Sequence, residues 1–215
     1  ATFKLYNSCW LCIIDTFIMQ FPNLFLVGSP KSATTSLAHE LGINESIFLP
    51  KIKEPHFFSS GFPLSRQKDL VSVKLLEKYL KLYKHSHGFK YRIDASTSYL
   101  YCEAALEKIS NLESTKIIVI LRNPIDRYIS HYQNDVLYGY EKRQLKETIH
   151  KEACGNSCIP FSYYECGLYC KYLKLWASKL PSASLCIVDY DFFIKSKKEC
   201  LEKIYQFLEI DSYGL

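Results

Sequence analysis

A lysine and three hydroxyl side chains lie close together in one short segment of the chain. Lys31 is followed by Thr34, Thr35 and Ser36. An ammonium group and several hydroxyl donors suit a compact anion. The first N–H groups of a helix have no partner within the helix, so a helix that begins here adds donors and a favourable dipole. The segment therefore indicates a site for a phosphate or a chemically similar group.

This segment departs from the phosphate loop of kinases and GTPases. That loop requires G-x-x-x-x-G-K-[ST], whereas the fifth residue after Gly28 is Ala33, and Lys31 does not adjoin the hydroxyl residues. An enzyme that uses magnesium and ATP is therefore disfavoured. A small-molecule kinase with a related loop and an ordinary turn between a strand and a helix remain open.

A second cation lies at the end of another apolar segment. Arg122 follows the apolar run at 116–121, and Ser130 comes eight residues after it. Asn123 and Pro124 suit a helix N-cap and a first helical residue. Two cation-and-hydroxyl sites indicate a ligand with two separate phosphate groups. An ion pair at the helix start and a solvent-facing serine are the alternatives.

The polar segment KIKEPHFF, residues 51–58, carries a carboxylate and an imidazole two residues apart. Pro55 disfavours a helical backbone at Glu54, which predicts a loop or an extended edge. Lys51, Lys53, Glu54 and His56 together are unusual for a segment that merely connects two elements. A surface ion pair between Lys53 and Glu54, and a packed His56, are the alternative interpretations.

Predicted strands alternate with predicted helices along the chain. The strands are expected at 23–28, 47–49, 90–94, 116–121 and 185–188; the helices at 34–41, 69–84, 103–109, 124–138, 141–152, 163–180 and 191–208. This order predicts an α/β fold of three layers, with a central, mainly parallel sheet. Ligands of such sheets bind outside the carboxyl ends of the strands, so Lys31, the turn at 94–98 and Arg122 are expected on one rim.

Length and composition fit one domain. The 215 residues are 48% hydrophobic with a net charge of +5, and we expect a lead-in at 1–22 and a domain at 23–215. The charge suits an anionic ligand. Because the sequence has no arginine-rich run, binding to nucleic acid is not expected.

The chain has nine cysteines. Cys9 and Cys12 form a lone C-x-x-C pair, and Cys154, Cys158, Cys166 and Cys170 fall in one segment. A disulfide between Cys154 and Cys158, a zinc site and reduced thiols are all open interpretations. No metal ligand is predicted.

Several motifs together resemble the sulfotransferases that use 3′-phosphoadenosine 5′-phosphosulfate (PAPS). GSPKSATTSL, from Gly28, resembles their 5′-phosphosulfate loop, and ILRNPIDRYISHY, from Ile120, resembles their 3′-phosphate motif. KEPHFF is similar to the segment with the catalytic glutamate in heparan sulfate and related carbohydrate sulfotransferases and their bacterial-type relatives. The residues at 167–193 are similar to a later helix–strand–helix of the family. The resemblance extends from about 23 to 210.

The resemblance implies a fold, an activity and a set of roles. The fold is P-loop-like, and the activity is transfer of a sulfuryl group from PAPS to a hydroxyl or amine of an acceptor, a carbohydrate or another small molecule. Glu54 is the implied general base, with His56 assisting and Lys31 acting near the bridging oxygen. The 5′-phosphosulfate falls to Lys31, Ser32, Ala33, Thr34, Thr35 and Ser36, and the 3′-phosphate to Arg122 and Ser130. No metal ion is expected, because sulfate carries less charge than phosphate.

The sequence also departs from the family pattern. Ala33 stands where the family usually has glycine, which keeps a degenerate, non-catalytic nucleotide-binding relative open. Thr97 stands where many relatives have proline, and Ala95 where some have a lysine. We expect the chain to be truncated before the loop that closes over the nucleotide in relatives. A eukaryotic glycan enzyme of this kind is expected in the Golgi lumen, and a bacterial one in the cytoplasm. The sequence does not indicate an oligomeric state.

Overall fold

A parallel sheet organises the chain in the computed structural model, which describes residues 21–59, 73–153, 162–181 and 184–212. Its strands are β1 (Leu24–Gly28), β2 (Ile47–Phe48), β3 (Tyr91–Asp94), β4 (Lys116–Leu121) and β5 (Leu185–Asp189). The order across the sheet is β2-β3-β1-β4-β5, and each neighbouring pair is parallel. The central β1 therefore lies between β3 and β4.

Helices connect these strands. They are α1 (Thr34–Leu41), α2 (Val73–Leu80), α3 (Glu103–Ser110), α4 (Pro124–Leu137), α5 (Leu145–Ala153), α6 (Tyr169–Lys179), α7 (Tyr190–Lys195) and α8 (Lys197–Leu208). Short 3₁₀ turns at Lys81–Tyr83, Tyr99–Tyr101 and Glu165–Gly167 complete the described elements.

Both faces of the sheet are covered. Leu24 and Leu26 of β1 pack with Leu37 of α1 in one cluster, whereas Phe25 and Val27 pack in a second cluster on the opposite face. Alternation of side chains along a strand explains the division, and the continuous apolar run is what a parallel strand buried on both faces requires. The predicted α/β architecture, with helices around a parallel sheet, is confirmed.

Most predicted element bounds agree with the structure to within one or two residues, but the helix predicted at 141–152 begins too early. Glu141 is buried, and its carboxylate accepts hydrogen bonds from the backbone N–H groups of Lys142 and Arg143. The Arg143 side chain also donates to it. These bonds shape a loop, so α5 starts only at Leu145.

Two long predicted helices are each interrupted. The segment predicted at 163–180 forms a 3₁₀ turn and then α6, with Leu168 between them at φ −80° and ψ 55°. The segment predicted at 191–208 divides into α7 and α8 at Ser196, at φ −133° and ψ 54°. Asp189 caps α7 by accepting from the Phe192 N–H group at 2.7 Å. The apolar period continues across both breaks, so it could not reveal them.

Some predictions fall outside the described residues. These are most of the lead-in, the start of the helix predicted at 69–84, and the cysteines Cys9, Cys12, Cys154 and Cys158. The cysteines that the structure does describe, Cys102, Cys166, Cys170, Cys186 and Cys200, are free thiols. Across the described ranges, no helix is both long and apolar enough to cross a membrane.

Candidate functional site

One cleft of about 480 Å³ opens at the carboxyl ends of the central strands. Seven of the predicted site residues line it: Lys31, Ala33, Thr34, Thr35, Glu54, Arg122 and Ser130. Four further lining residues were not expected there from the sequence: Lys53, His131, Asn134 and Tyr190. The expected rim therefore exists, and the turn at 94–98 contributes Thr97 to it.

Three predicted site residues do not line this cleft. Ser32 is fully buried, and its hydroxyl lies 2.7 Å from the Ser29 hydroxyl, where it braces the loop after β1. Ser36 is exposed on α1. His56 lines a neighbouring, mainly apolar cavity of about 240 Å³, which shares Glu54 with the cleft.

The loop at 29–33 is tied to β4. The Ser29 N–H group donates to the Ile120 carbonyl at 2.8 Å, and the Ser29 hydroxyl donates to it at 3.2 Å. Lys31 and Ala33 have φ values of 64° and 59°, in the left-handed region. Ala33 is the N-cap of α1 and offers no side-chain oxygen, so no side chain caps this helix start. The first N–H groups of α1 therefore suit an anion in the cleft.

Lys31 is held by the helix that follows β4. Its ammonium group donates to Asn134 Oδ1 at 2.6 Å. Asn134 and Ser130 are one helical turn apart on α4, so they share a face, and both line the cleft. The two predicted anion sites are thus joined by a direct contact.

Arg122 lines the same cleft and contacts the loop that precedes α1. Its Nη1 donates to the Lys31 carbonyl at 3.3 Å, and its guanidinium lies over the Tyr190 ring at 4.8 Å. Its Nε is buried, and among the described residues it has no hydrogen-bond partner. A buried donor without a partner costs about 1–3 kcal/mol, so an anion bound here would recover part of that cost.

His131 is held as a neutral donor beside the cleft. Fully buried Arg127 donates from Nη1 to His131 Nδ1 at 3.2 Å, so the ring proton lies on Nε2, at 3.8 Å from Asp135 Oδ2. Burial and the charges of Arg127 and Lys31 outweigh Asp135 and lower the pKa of His131 to about 4. The imidazole is therefore uncharged at neutral pH.

This low pKa predicts a stability change with pH. The unfolded chain takes up a proton at His131 near its ordinary pKa of 6.5, whereas the folded protein takes it up only near about 4. The folded state thus binds fewer protons, and between about pH 7 and pH 5 the free energy of unfolding should fall by up to about 2 kcal/mol from this group. Urea unfolding of wild type and His131→Gln measures it. The variant should lose less stability over that interval, and equal losses would contradict the assignment.

Glu54 joins the cleft to its neighbouring cavity. Lys53 donates to Glu54 Oε1 at 3.1 Å and to the Thr35 hydroxyl at 2.6 Å, so its ammonium group bridges α1 and the carboxylate. Burial raises the pKa of the Glu54 carboxyl, but the hydrogen bond from His56 and the charge of Lys53 outweigh it, and the pKa lies below its ordinary value. Glu54 is therefore a carboxylate at neutral pH and can accept a proton. Within the described parts of the chain, no group of three or more potential metal ligands comes together.

Comparisons with known proteins identify the family of the chain. Residues 21–213 match the family described as "Sulfotransferase domain". The chain is 27% identical over 203 residues to heparan sulfate glucosamine 3-O-sulfotransferase 5 of Mus musculus, covering 92% of this chain and 56% of that protein. It is 24% identical over 211 residues to bifunctional heparan sulfate N-deacetylase/N-sulfotransferase 2 of Homo sapiens, covering 90% and 22%. The chain thus spans about half the length, or less, of these curated relatives.

Solved structures show the same fold. A sulfotransferase from Alicyclobacillus acidocaldarius superposes with a TM-score of 0.77 at 24% identity, covering 91% of this chain and 83% of that one. The mouse sulfotransferase SULT7A1 complexed with PAP superposes with a TM-score of 0.57 at 19% identity, covering 89% and 60%. At these identities the likeness establishes the fold of the chain.

Proposed function

The chain belongs to the sulfotransferase domain family, and from that premise we propose that it transfers a sulfuryl group from PAPS to a hydroxyl or amine of a carbohydrate acceptor. One observation carries the proposal. A carboxylate, Glu54, lies in the same cleft as the two cation-and-hydroxyl sites at Lys31 and Arg122. A donor with two phosphate-like ends and an acceptor with a proton to lose need this combination.

The cleft residues divide between the two ends of the donor. We assign the 5′-phosphosulfate to the loop at 29–33 and the start of α1, where Lys31, Thr34 and Thr35 face the cleft. The 3′-phosphate is assigned to Arg122 and Ser130. The buried, unpartnered Nε of Arg122 supports this second assignment, because a phosphate oxygen would satisfy it.

The transfer needs little covalent work from the protein. The acceptor oxygen or nitrogen forms a bond to sulfur as the bond between sulfur and the bridging oxygen breaks. The acceptor proton goes to Glu54, and 3′-phosphoadenosine 5′-phosphate (PAP) leaves with the bridging oxygen. Positioning and charge stabilisation dominate such a step, as they do in phosphoryl transfer. Lys31 offsets the charge that develops on the departing phosphate. Lys53, which lies between Thr35 and Glu54, offsets charge on the sulfuryl group during the transfer.

The carbohydrate acceptor is supported by the relatives. Several curated relatives are named as heparan sulfate sulfotransferases, and the KEPHFF segment of this chain provides both Glu54 and His56. His56 contacts Glu54 Oε2 through Nε2 at 3.2 Å, so it acts on the base itself. It also lines the apolar cavity beside the cleft.

A transfer assay tests the proposal. The protein is incubated with PAPS carrying a radioactive sulfur and with heparan sulfate, without added magnesium. We expect label in the polysaccharide and equimolar PAP. A parallel reaction with magnesium, ATP and the same acceptor should show no phosphate transfer. Phosphate transfer instead of sulfuryl transfer would overturn the proposal in favour of the kinase alternative, and bound PAP without turnover of any glycan acceptor would favour the degenerate relative.

A further inference from the structure

The turn after β3 accepts hydrogen bonds from the backbone on both sides of Pro55. The Glu54 N–H group donates to the Ala95 carbonyl at 3.2 Å, and the His56 N–H group donates to the Ser96 hydroxyl at 3.1 Å. Glu54 and His56 have φ values of 54° and 51°, in the left-handed region. Such conformations cost about 1–3 kcal/mol each for residues other than glycine, so the surrounding contacts must hold them.

A buried carboxylate anchors this turn. Asp94 is fully buried and accepts from the Ser96 hydroxyl at 2.7 Å. The hydroxyl groups of Tyr79 and Tyr99 donate to its other oxygen at 2.6 and 2.9 Å. Three donors from three elements therefore fix the start of the turn, and the turn can serve as a rigid support for the loop it grips.

Side chains of the same turn reach the proposed base. The Thr97 hydroxyl donates to Glu54 Oε2 at 3.2 Å. The Ser98 hydroxyl lies 2.7 Å from His56 Nδ1 and 2.8 Å from the Ser59 hydroxyl. Thr97, Ser98 and Ser59 are each less than 10% exposed, so water competes little for these bonds.

These contacts have a consistent direction. His56 Nε2 faces a carboxylate oxygen of Glu54, so Nε2 carries the ring proton and donates it. The Ser98 hydroxyl lies within hydrogen-bonding distance of both His56 Nδ1 and the Ser59 hydroxyl, so this pair of serines holds the ring at its other nitrogen. The ring orientation of His56 is thereby set by Ser98.

The two carboxylate oxygens of Glu54 differ in the number of hydrogen bonds that they accept. Oε2 accepts from both Thr97 and His56, whereas Oε1 accepts from Lys53. A carboxylate oxygen has two lone-pair sites, so these bonds occupy both sites of Oε2 and one site of Oε1. Among the residues that the structure describes, no other donor reaches Oε1, so one of its sites remains on the oxygen that Lys53 connects to Thr35 and the cleft.

We propose that Thr97 and Ser98 are positioning residues that orient the Glu54 carboxylate so that Oε1 takes the proton of the acceptor. The inference rests on the proposed function. It adds which oxygen of Glu54 takes the proton and which residues hold the carboxylate in place. The proton moves from the acceptor to Oε1 as the bond to sulfur forms, and PAP departs with the electron pair of the broken bond. Thr97 and Ser98 exchange no proton in this step.

The inference concerns this chain in particular. Thr97 stands where many relatives are expected to have proline, which has no side-chain donor. A hydroxyl at this position gives the Glu54 carboxylate a hydrogen bond that a proline could not supply.

Several charged and titratable groups surround Glu54, and its titration reflects all of them. Lys53 and His56 lie on its own loop, and Asp94 lies behind the turn. Those on the cleft walls and in the neighbouring cavity are Lys31, Arg122, His131, Lys78 and Tyr79. A test must therefore remove the donors of Thr97 and Ser98 without changing a charge.

Titration of the Glu54 carboxyl by NMR provides that test. In protein labelled with ¹³C at glutamate carboxyls, the Glu54 signal is assigned by its absence in Glu54→Gln. Thr97→Val should raise the pKa of Glu54, because the carboxylate loses a donor and its charged form is disfavoured. Ser98→Ala should raise it as well, because His56 loses its contact at Nδ1 and its ring is no longer held in place to donate to Glu54. Thr97→Ser and Ser98→Thr should restore the wild-type value. Thr115→Val makes the same change at a buried threonine outside the cleft and should leave Glu54 unchanged.

Unchanged titration of Glu54 in both Thr97→Val and Ser98→Ala would overturn the proposal, whether or not the protein turns over PAPS. With radiolabelled PAPS and heparan sulfate, Ser98→Ala should lower kcat by about tenfold with little change in the KM for PAPS, since a misplaced base slows only the chemical step. The acid limb of its pH profile should move to higher pH. A raised KM for PAPS at unchanged kcat would contradict a role in positioning the base.

Discussion

Replacing Glu54 with glutamine is expected to lower the rate of sulfuryl transfer by about 10²–10⁴-fold, the usual contribution of a general base. Glutamine keeps the size of the side chain, and its one carbonyl oxygen can still accept a hydrogen bond from Lys53 or from Thr97, though not from both. It cannot take the acceptor proton. Because Glu54 is assigned to neither end of the donor, the affinity for PAP should stay within about twofold of wild type. Initial rates with radiolabelled PAPS and calorimetry with PAP measure the two quantities.

Glu45→Gln is the matched control for this prediction. Glu45 is exposed and lies outside the cleft, so the same chemical change there should leave both the rate and the PAP affinity unaltered. A Glu54→Gln variant with a wild-type rate would show that another group takes the proton. A variant that loses PAP affinity as well would show that Glu54 supports the donor site.

Replacing Arg122 with alanine is expected to weaken PAP binding by more than about tenfold, or roughly 1.4 kcal/mol. The guanidinium is positioned in advance by the Lys31 carbonyl and the Tyr190 ring, so little entropy is lost when a phosphate binds. Calorimetry should compare PAP with adenosine 5′-phosphate, which lacks the 3′-phosphate. In the variant, the preference for PAP over adenosine 5′-phosphate should largely disappear.

Arg122→Lys separates charge from geometry at this position. Lysine keeps the positive charge but has neither the planar fork nor the stack on Tyr190, so we expect an intermediate affinity. Arg122→Ala could instead lower the affinity for both nucleotides by the same factor. Arg122 would then not bind the 3′-phosphate, and the assignment of the two ends of the donor would be wrong.

The apolar runs and the residues that follow them made much of this arrangement predictable. An apolar strand that ends in a lysine loop, and another that ends in Arg122, place their cations at one edge of a parallel sheet whatever the details of packing. The order of strands and helices follows from the alternating patterns of the sequence. The rule places Lys31 and Arg122 at this edge, whereas Glu54 was expected there because of the resemblance to a family. Such patterns depend only on neighbouring residues in the sequence, so they can be recognised without knowing how distant segments pack.

Contacts between distant segments were not predictable in the same way. A surface ion pair of Lys53 with Glu54 was one alternative from the sequence, but nothing there indicated that the ammonium group also donates to Thr35, eighteen residues away. Asn134 and His131 lie on a predicted helix, but only the packing of α4 beside the loop at 29–33 shows that they face the cleft. Ser32, predicted beside the donor, instead braces that loop. A single sequence has no signal for which face of a helix meets a particular loop.

Ala33 is the clearest departure from the family pattern. Its φ of 59° is a conformation that glycine adopts at less cost, by roughly 1–2 kcal/mol. The chain nevertheless starts α1 directly after it, at Thr34. The methyl group therefore fits the backbone of the loop, and donor binding decides between an active enzyme and a degenerate relative.

The most direct test of the central claim is a calorimetric titration of the wild-type protein with PAP and, separately, with adenosine 5′-phosphate, both without magnesium. A cleft with two anion sites predicts binding of PAP with one site per chain, and at least about tenfold weaker binding of the nucleotide that lacks the 3′-phosphate. Equal affinities for the two nucleotides, or no binding of PAP, would contradict a donor site built from Lys31 and Arg122.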